Sequence, residues 1–138
     1  LGQRDGVKYY DDSISTICAT TIQALKTLKD ADTVLIGGMD RGIDYGELVR
    51  FLAGHEIPHI VLMEETGRRI YHEIERLRPE FPGKERLILA DHLEEAVEAA
   101  KAVTRPGHSC VLSPAAASYG IFKNFEERGD AFKRYVFE

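Results

Sequence analysis

The sequence has 138 residues, with no tryptophan, two cysteines and five prolines. It also lacks a long uncharged apolar run. Each shortage excludes something. No stretch approaches the roughly 18 apolar residues of a membrane-spanning helix, and no secretory leader is visible, so no membrane partner is expected. Cys18 and Cys110 lie far apart and are read as buried thiols of a cytosolic protein rather than a disulfide. Eighteen Lys and Arg against 23 Asp and Glu leave a net charge of −5, and nucleic acid is not expected as a partner without a basic face. The phosphate loop G-x-x-x-x-G-K-[ST] and the dinucleotide fingerprint G-x-G-x-x-G are both missing. Five histidines, at 55, 59, 72, 92 and 108, show no i,i+4 pair or metal spacing, so they are read as surface or loop residues. Ser113 and Ser118 lack the G-x-S-x-G elbow of a serine nucleophile. No metal site and no self-sufficient catalytic constellation is expected.

What is present is a balanced globular composition, 43% apolar and 30% charged, in a chain long enough for one domain with a real core. Five short runs are rich in β-formers: Val7–Asp11, Thr33–Ile36, His59–Met63, Arg86–Ala90 and Ser109–Leu112. Helical spacing fills the intervals. Helices are expected over Thr16–Leu28 with Ser13 or Ser15 as N-cap, Tyr45–Ala53, Gly67–Leu77, from an Asp91 cap to Val103, and from near Arg128 onward. Alternation of strands with helices predicts a three-layer, Rossmann-like α/β/α sandwich on a mostly parallel sheet of five or six strands. "TVLI", "HIVLM" and "LILA" are almost wholly apolar, as strands buried on both faces should be. At the start, Leu1 is not an initiator Met, and Asp5-Gly6 is a hairpin turn with only four residues before it. The partner strand is therefore expected to be short or missing, and the chain to be a fragment of a longer polypeptide.

In such folds ligands sit beyond the carboxyl ends of the strands. Three ends are unusual: "YYDDSIST", "IGGMDRG" and "LSPAAASYG", after the first, second and fifth runs. In the second, Gly37-Gly38 serves either a tight turn or a ligand. Arg41 beside them is suited to grip a carboxylate or phosphate with both prongs. In the first, acids and hydroxyls either cap the next helix or reach a ribose, a metal or an anion. In the third, the small residues either pack or clear space for a bound molecule.

Those same three segments carry a resemblance. "VLSPAAASYGIFKNFEERGDAF" is similar to the C-terminal signature "LLSPAxASxDxFxNFexRGxxF" of the Mur ligase family, closest to its D-glutamate-adding branch. "DGVKYYDDSISTICATTIQAL" and "VLIGGMDRGIDYGEL" resemble two further family segments, in order and correctly spaced. The resemblance covers essentially all 138 residues. It implies that residues 1–138 form the C-terminal, amino-acid-binding domain of a cytoplasmic ligase of peptidoglycan synthesis, with N-terminal and central ATP-binding domains outside this chain. It implies an ATP- and Mg2+-dependent amide ligation of D-glutamate to UDP-N-acetylmuramoyl-L-alanine through an acyl phosphate, and a monomer. By residue, it implies that Thr16, Arg41, Ser118 and Phe125, with the backbone at Tyr119, hold D-glutamate, and that Asp12 contacts the nucleotide. D-glutamate carries two carboxylates, so a cation, hydroxyls and backbone N–H donors together make chemical sense.

Two departures qualify the match. Arg41 stands where many members have Lys, which keeps the charge and adds a second prong. Ile14 stands where many have the Lys of "DSK", and Tyr119-Gly120 replaces a pair ending in Asp, so Ile14 is left off the site. Phe122, Phe125 and Phe132 also fit core aromatics, Phe122 best of all. Two other readings remain. A sibling ligase adding a different amino acid, or glutamate to folate, would be told apart by amino-acid-dependent ATPase activity. A phospho-receiver module fits Asp11-Asp12 and the size, but "VLMEE" offers no phosphorylatable Asp and Ser113-Pro114 stands where a receiver needs Lys.

Overall fold

A single sheet of six strands runs through the computed structural model, which describes residues 2–54, 57–77, 86–118 and 121–137. In chain order the elements are β1 (Gly2–Arg4), β2 (Val7–Asp11), α1 (Cys18–Thr27), β3 (Ala31–Gly37), α2 (Gly46–Gly54), β4 (His59–Met63), α3 (Glu64–Leu77), β5 (Leu87–Ala90), α4 (Leu93–Val103), β6 (Ser109–Leu112) and α5 (Phe125–Phe137). The strands lie in the order β1-β2-β6-β3-β4-β5, and only the β1–β2 pairing is antiparallel. The five strands expected from the sequence are β2 to β6. The sixth is the short hairpin partner β1, where Gly2 pairs with Tyr9 and Arg4 with Val7. Its turn has positive φ at both Asp5 (54°) and Gly6 (80°), as a two-residue hairpin of matching twist requires.

Alternation along the parallel strands fills two cores. Val34 and Ile36, Ile60 and Leu62, and Val111 face one side, packed with Leu25, Leu48, Leu52, Ile70 and Ile74 of α1, α2 and α3. Leu35, Val61, Met63, Cys110 and Leu112 face the other, packed with Leu93, Val97, Phe132 and Val136 of α4 and α5. Because both faces are covered, the strands read as continuous apolar runs. Cys18 and Cys110 are free, buried thiols, and burial first of all pushes Cys18 up to about 11, beyond the reactive range. Among the described residues no helix is long and apolar enough to cross a membrane.

Several helix starts differ from expectation, each for a local reason. Helix α1 begins at Cys18 behind an extended Ile17 (φ −133°), with no side-chain cap. Ser13 and Ser15 do not cap it, because their hydroxyls are spent on Phe125 O and on Asp12 Oδ2. His92, not Asp91, occupies the N-cap of α4, and Asp91 lies 3.7 Å from Arg68 instead. Helix α5 starts three residues early, at Phe125. Asn124 Oδ1 accepts the Glu127 N–H at 2.8 Å, while Glu127 Oε1 accepts the Lys123 N–H at 2.9 Å. That N-x-x-E pattern is a capping arrangement legible in the sequence. The expected start of α3 at Gly67 is also late: β4 turns directly into it at Glu64, whose φ is 60°.

At the amino ends of the strands, Asp32 is buried under Arg105. The Arg105 Nη2 and Nε donate to its oxygens at 2.6 and 3.2 Å, and the Arg105 backbone N–H adds a third bond at 3.0 Å. Burial pushes the Asp32 carboxyl up, but the Arg105 hydrogen bonds and charge outweigh it and hold the group below its ordinary value. A depressed folded-state pKa contributes stability that is present above the unfolded value of about 3.9 and lost as pH falls through the lower folded one. Replacing Asp32 with Asn is expected to cost about 1–3 kcal/mol at neutral pH. Urea denaturation of wild type and Asp32→Asn between pH 7 and pH 3 should find the two curves converging below about pH 4. A difference that persists unchanged into acid would rule out the charge as its source.

Candidate functional site

The strand order brings the three unusual strand ends side by side, since β6 lies between β2 and β3. Main-chain bonds then stitch the loops together beyond the sheet. Ala115 N donates to Ser15 O (2.9 Å), Gly37 N to Pro114 O (2.9 Å), and Met39 N to Ala117 O (2.9 Å). Side chains reinforce the seam. Asp12 Oδ2 accepts from Ser15 Oγ (2.5 Å) and Ser113 Oγ (2.7 Å), and Thr21 Oγ1 donates to Ser113 O (3.1 Å). Tyr45, fully buried, donates its hydroxyl to Ala115 O at 2.8 Å.

The three alanines therefore serve packing first. Ala115 and Ala116 have no exposed surface, and only Ala117 reaches a cleft. The paired glycines have the same cause. A Cβ on Gly37 would overlap the Met63 carbonyl, and one on Gly38 would stand 2.5 Å from Ala117 O and 3.1 Å from both Ala116 Cβ and Arg128 Nη1. The sequence "GG" is a close-approach requirement.

Thr16, Arg41, Ser118 and Phe125, together with Ala117, line one cleft of about 220 Å³ at this edge. It is smaller than the ~300 Å³ at which drug-sized pockets begin, a space for a small metabolite rather than a nucleotide. Among the described residues Arg41 is the only charged one lining it, so the cleft favours an anion. Tyr119 lies outside the described residues. Asp12 does not line the cleft; its Oδ2 is committed to the two serines. Phe132 is core, edge-on to Tyr9 with centroids 6.3 Å apart, and Phe122 is half-buried against the same core. Phe125 is 37% exposed over the cleft, distinct from both.

Two arginines that sequence reasoning gave no role hold the site in shape. Arg69 Nη1 donates to Asp40 Oδ1 at 2.8 Å and its Nη2 to Ile43 O at 2.6 Å, with the guanidinium 5.2 Å from the Tyr45 ring centroid. Asp40 Oδ1 also accepts the Gly42 N–H at 2.9 Å. The loop is thereby anchored through Asp40 and Arg69, while Arg41 stays exposed with no ion pair among the described residues. Arg128 is 1% exposed; its Nε donates to Ser13 Oγ and its Nη2 to Ser13 O, both at 2.8 Å. The sequence signal available for Arg69 was slight, an Asp-x-Gly turn that needed a distant partner. Arg128 had a clearer one, as the fixed Arg of the quoted C-terminal signature, to which no role was attached.

A larger cleft of about 520 Å³ lies beyond the ends of β3, β4 and β5, lined by Gly38, Met39, Glu64, Glu65, Arg68, Asp91, His92 and Ile121. Size favours it; charge does not. Three carboxylates against one guanidinium repel an anionic ligand, and burial pushes the Glu64 carboxyl up, with Arg128 opposing. No group of three His, Cys, Asp or Glu suited to a metal ion occurs among the described residues.

The chain is similar along its length to curated ligases. It is 38% identical over 138 residues to the UDP-N-acetylmuramoylalanine–D-glutamate ligase of Caldanaerobacter subterraneus subsp. tengcongensis, covering 100% of this chain and 30% of that protein. The enzyme of the same name from Chlamydia caviae is 36% identical over 136 residues, 99% of this chain and 30% of the relative. That of Syntrophotalea carbinolica is 35% identical over 132 residues, 96% of this chain and 28% of the relative. No protein-family model matches the chain. The chain thus spans about 30% of the length of the curated relatives it matches, and is homologous throughout to a segment of these ligases.

The geometry of the glycine pair generates a test. Gly38→Ala is expected to destabilise the protein by about 1–3 kcal/mol through overpacking against Ala117 O and Arg128. Thermal melting measures it. A melting temperature within a degree or so of wild type would mean that the seam between the β3 and β6 loops yields freely.

Proposed function

We propose that this chain is the C-terminal, amino-acid-binding domain of an ATP-dependent ligase that joins D-glutamate to UDP-N-acetylmuramoyl-L-alanine in cytoplasmic peptidoglycan synthesis. The observation that carries this reading is the convergence of Thr16, Arg41, Ser118 and Phe125, from three segments, on one small cleft where Arg41 is the one charged side chain among the described residues. The similarity to enzymes named D-glutamate ligases supports D-glutamate as that anion.

In this reading Arg41 clamps one carboxylate of D-glutamate with two parallel N–H bonds, which fixes its orientation as well as its charge. The hydroxyls of Thr16 and Ser118 donate to the carboxylate oxygens, and the backbone at Tyr119 adds to them. The Phe125 ring covers the methylene chain. With its carboxylates held, the amine is free to face outward. Asp12 reaches the nucleotide from the same edge. ATP with Mg2+, when bound, would supply the activation, turning the nucleotide-sugar carboxylate into an acyl phosphate with release of ADP, from which the amine of D-glutamate would displace phosphate and lose a proton to form the amide. The phosphate loop and metal ligands for that step belong to segments outside this chain, in keeping with a sequence that carries no such loop. This domain's part is orientation and charge, worth several orders of magnitude when a bimolecular attack becomes intramolecular.

Kinetics of the full-length enzyme test the reading. Arg41→Ala removes a charge-assisted contact of about 1.5–3 kcal/mol, a rise of roughly 10- to 150-fold in the KM for D-glutamate. The KM for ATP should move much less, and Arg41→Lys should recover much of the loss. The melting temperature should barely change, since an exposed loop cation contributes little to stability. An unaltered D-glutamate KM in the alanine variant would leave Arg41 as a solvated turn residue. The 138-residue chain alone should hydrolyse no ATP, and turnover above a contaminant control would overturn the division of labour.

A further inference from the structure

Arg128 touches the segments that border the anion cleft. Its Nε and Nη2 bind the hydroxyl and carbonyl of Ser13, three residues before Thr16. The same Ser13 hydroxyl donates to Phe125 O at 2.8 Å, tying the first turn of α5 to the β2–α1 loop. Its Nη1 lies against Gly38, on the loop that carries Arg41. That Nη1 has no hydrogen-bond partner among the described residues although it is fully buried. Asp11, whose Oδ1 accepts the Ser13 N–H at 3.0 Å, lies so close to α5 that a Cβ at Gly129 would stand 2.4 Å from its Oδ2. A guanidinium is costly to bury, and a structural cross-link alone could be made by apolar packing. Desolvation pulls Arg128 down to about 10, opposed by the charges of Glu64 and Asp11, so it remains charged at neutral pH.

The geometry points to Arg128 as a positioning residue that fixes the separation of the Thr16 and Phe125 walls of the cleft. The fork is what matters. Nε and Nη2 meet two different oxygens of one residue at once, which sets the loop's orientation as well as its distance. A lysine at 128 keeps the charge but offers a single point donor, which cannot hold both bonds in that geometry. The positioning role is independent of which anion the cleft takes; only the kinetic arm of its test rests on the D-glutamate reading.

The experiment uses the full-length enzyme with Arg128→Lys, Ser13→Ala, the double variant and Phe132→Leu. Phe132 is a buried core residue on the same helix, so its leucine variant loosens α5 without touching Ser13. In Arg128→Lys, amide exchange over residues 12–18 and 121–127 should quicken about 10-fold or more while peptides from β3 and β4 stay unchanged, as expected for a local opening. The KM for D-glutamate should rise about 10-fold, with the KM for ATP little changed, because a small misplacement of binding groups is expensive. Ser13→Ala should reproduce both effects, and the double variant should add little to the larger single one. Phe132→Leu should lower the melting temperature with the D-glutamate KM intact. Wild-type exchange over 12–18 in both Arg128→Lys and Ser13→Ala would overturn the proposal, as would an equal KM rise in Phe132→Leu. If Arg128→Lys does not fold, Ser13→Ala decides alone. A wild-type enzyme that shows no dependence on D-glutamate would sink the ligand reading and leave the exchange result to judge Arg128.

Discussion

Everything at the candidate site depends on β6 lying between β2 and β3. Ser109–Leu112 pairs with Lys8–Asp11 on one side and, across a register shift, with Ala31–Leu35 on the other. Parallel strands end at one edge, so the chain emerging from β6 must pass between two other emerging loops. Its carbonyls and amides are then taken by both neighbours, through Ser15, Gly37 and Met39. Burial of the whole segment from Ser113 to Ser118 follows, and with it the demand for small residues. The cleft is the gap that remains where Thr16, Arg41 and Phe125 stand around the end of this buried segment.

Charge is divided at this edge between groups that hold the protein and one left for a ligand. Arg69 and Arg128 are spent on a loop and on Ser13. Their hydrogen bonds offset the loss of hydration that burial imposes, which an incoming ligand could not do without first breaking them. Arg41 keeps its hydration and both prongs because Asp40, its neighbour, has taken Arg69 instead. The two arginines of the loop region thus differ in role through their partners alone.

The rim of the edge is apolar. Ile14, Ile17, Met39, Ile121 and Phe125 are all substantially exposed there, Ile14 at 64%. Scattered exposed apolar side chains are ordinary; several on one edge are less so. Under the proposed function this rim is the side from which the nucleotide-holding domains would approach.

The apolar runs alternating with helical spacing determined the α/β/α class, because strands buried on both faces leave no other pattern. They also marked the three odd strand ends, and the motifs there singled out Thr16, Arg41, Ser118 and Phe125. The sequence could not order the strands: β6, last in the chain, sits near the centre, a placement made by pairing between residues about a hundred positions apart. For the same reason it could not say that Ser13 and Ser15 bond across to α5 and Asp12 rather than cap α1, that two of the three alanines pack rather than clear space, or that Arg69 and Arg128 hold the site. Local chemistry is written in neighbouring residues. Which donor satisfies a buried oxygen is decided only when the fold brings distant segments within 3 Å of each other.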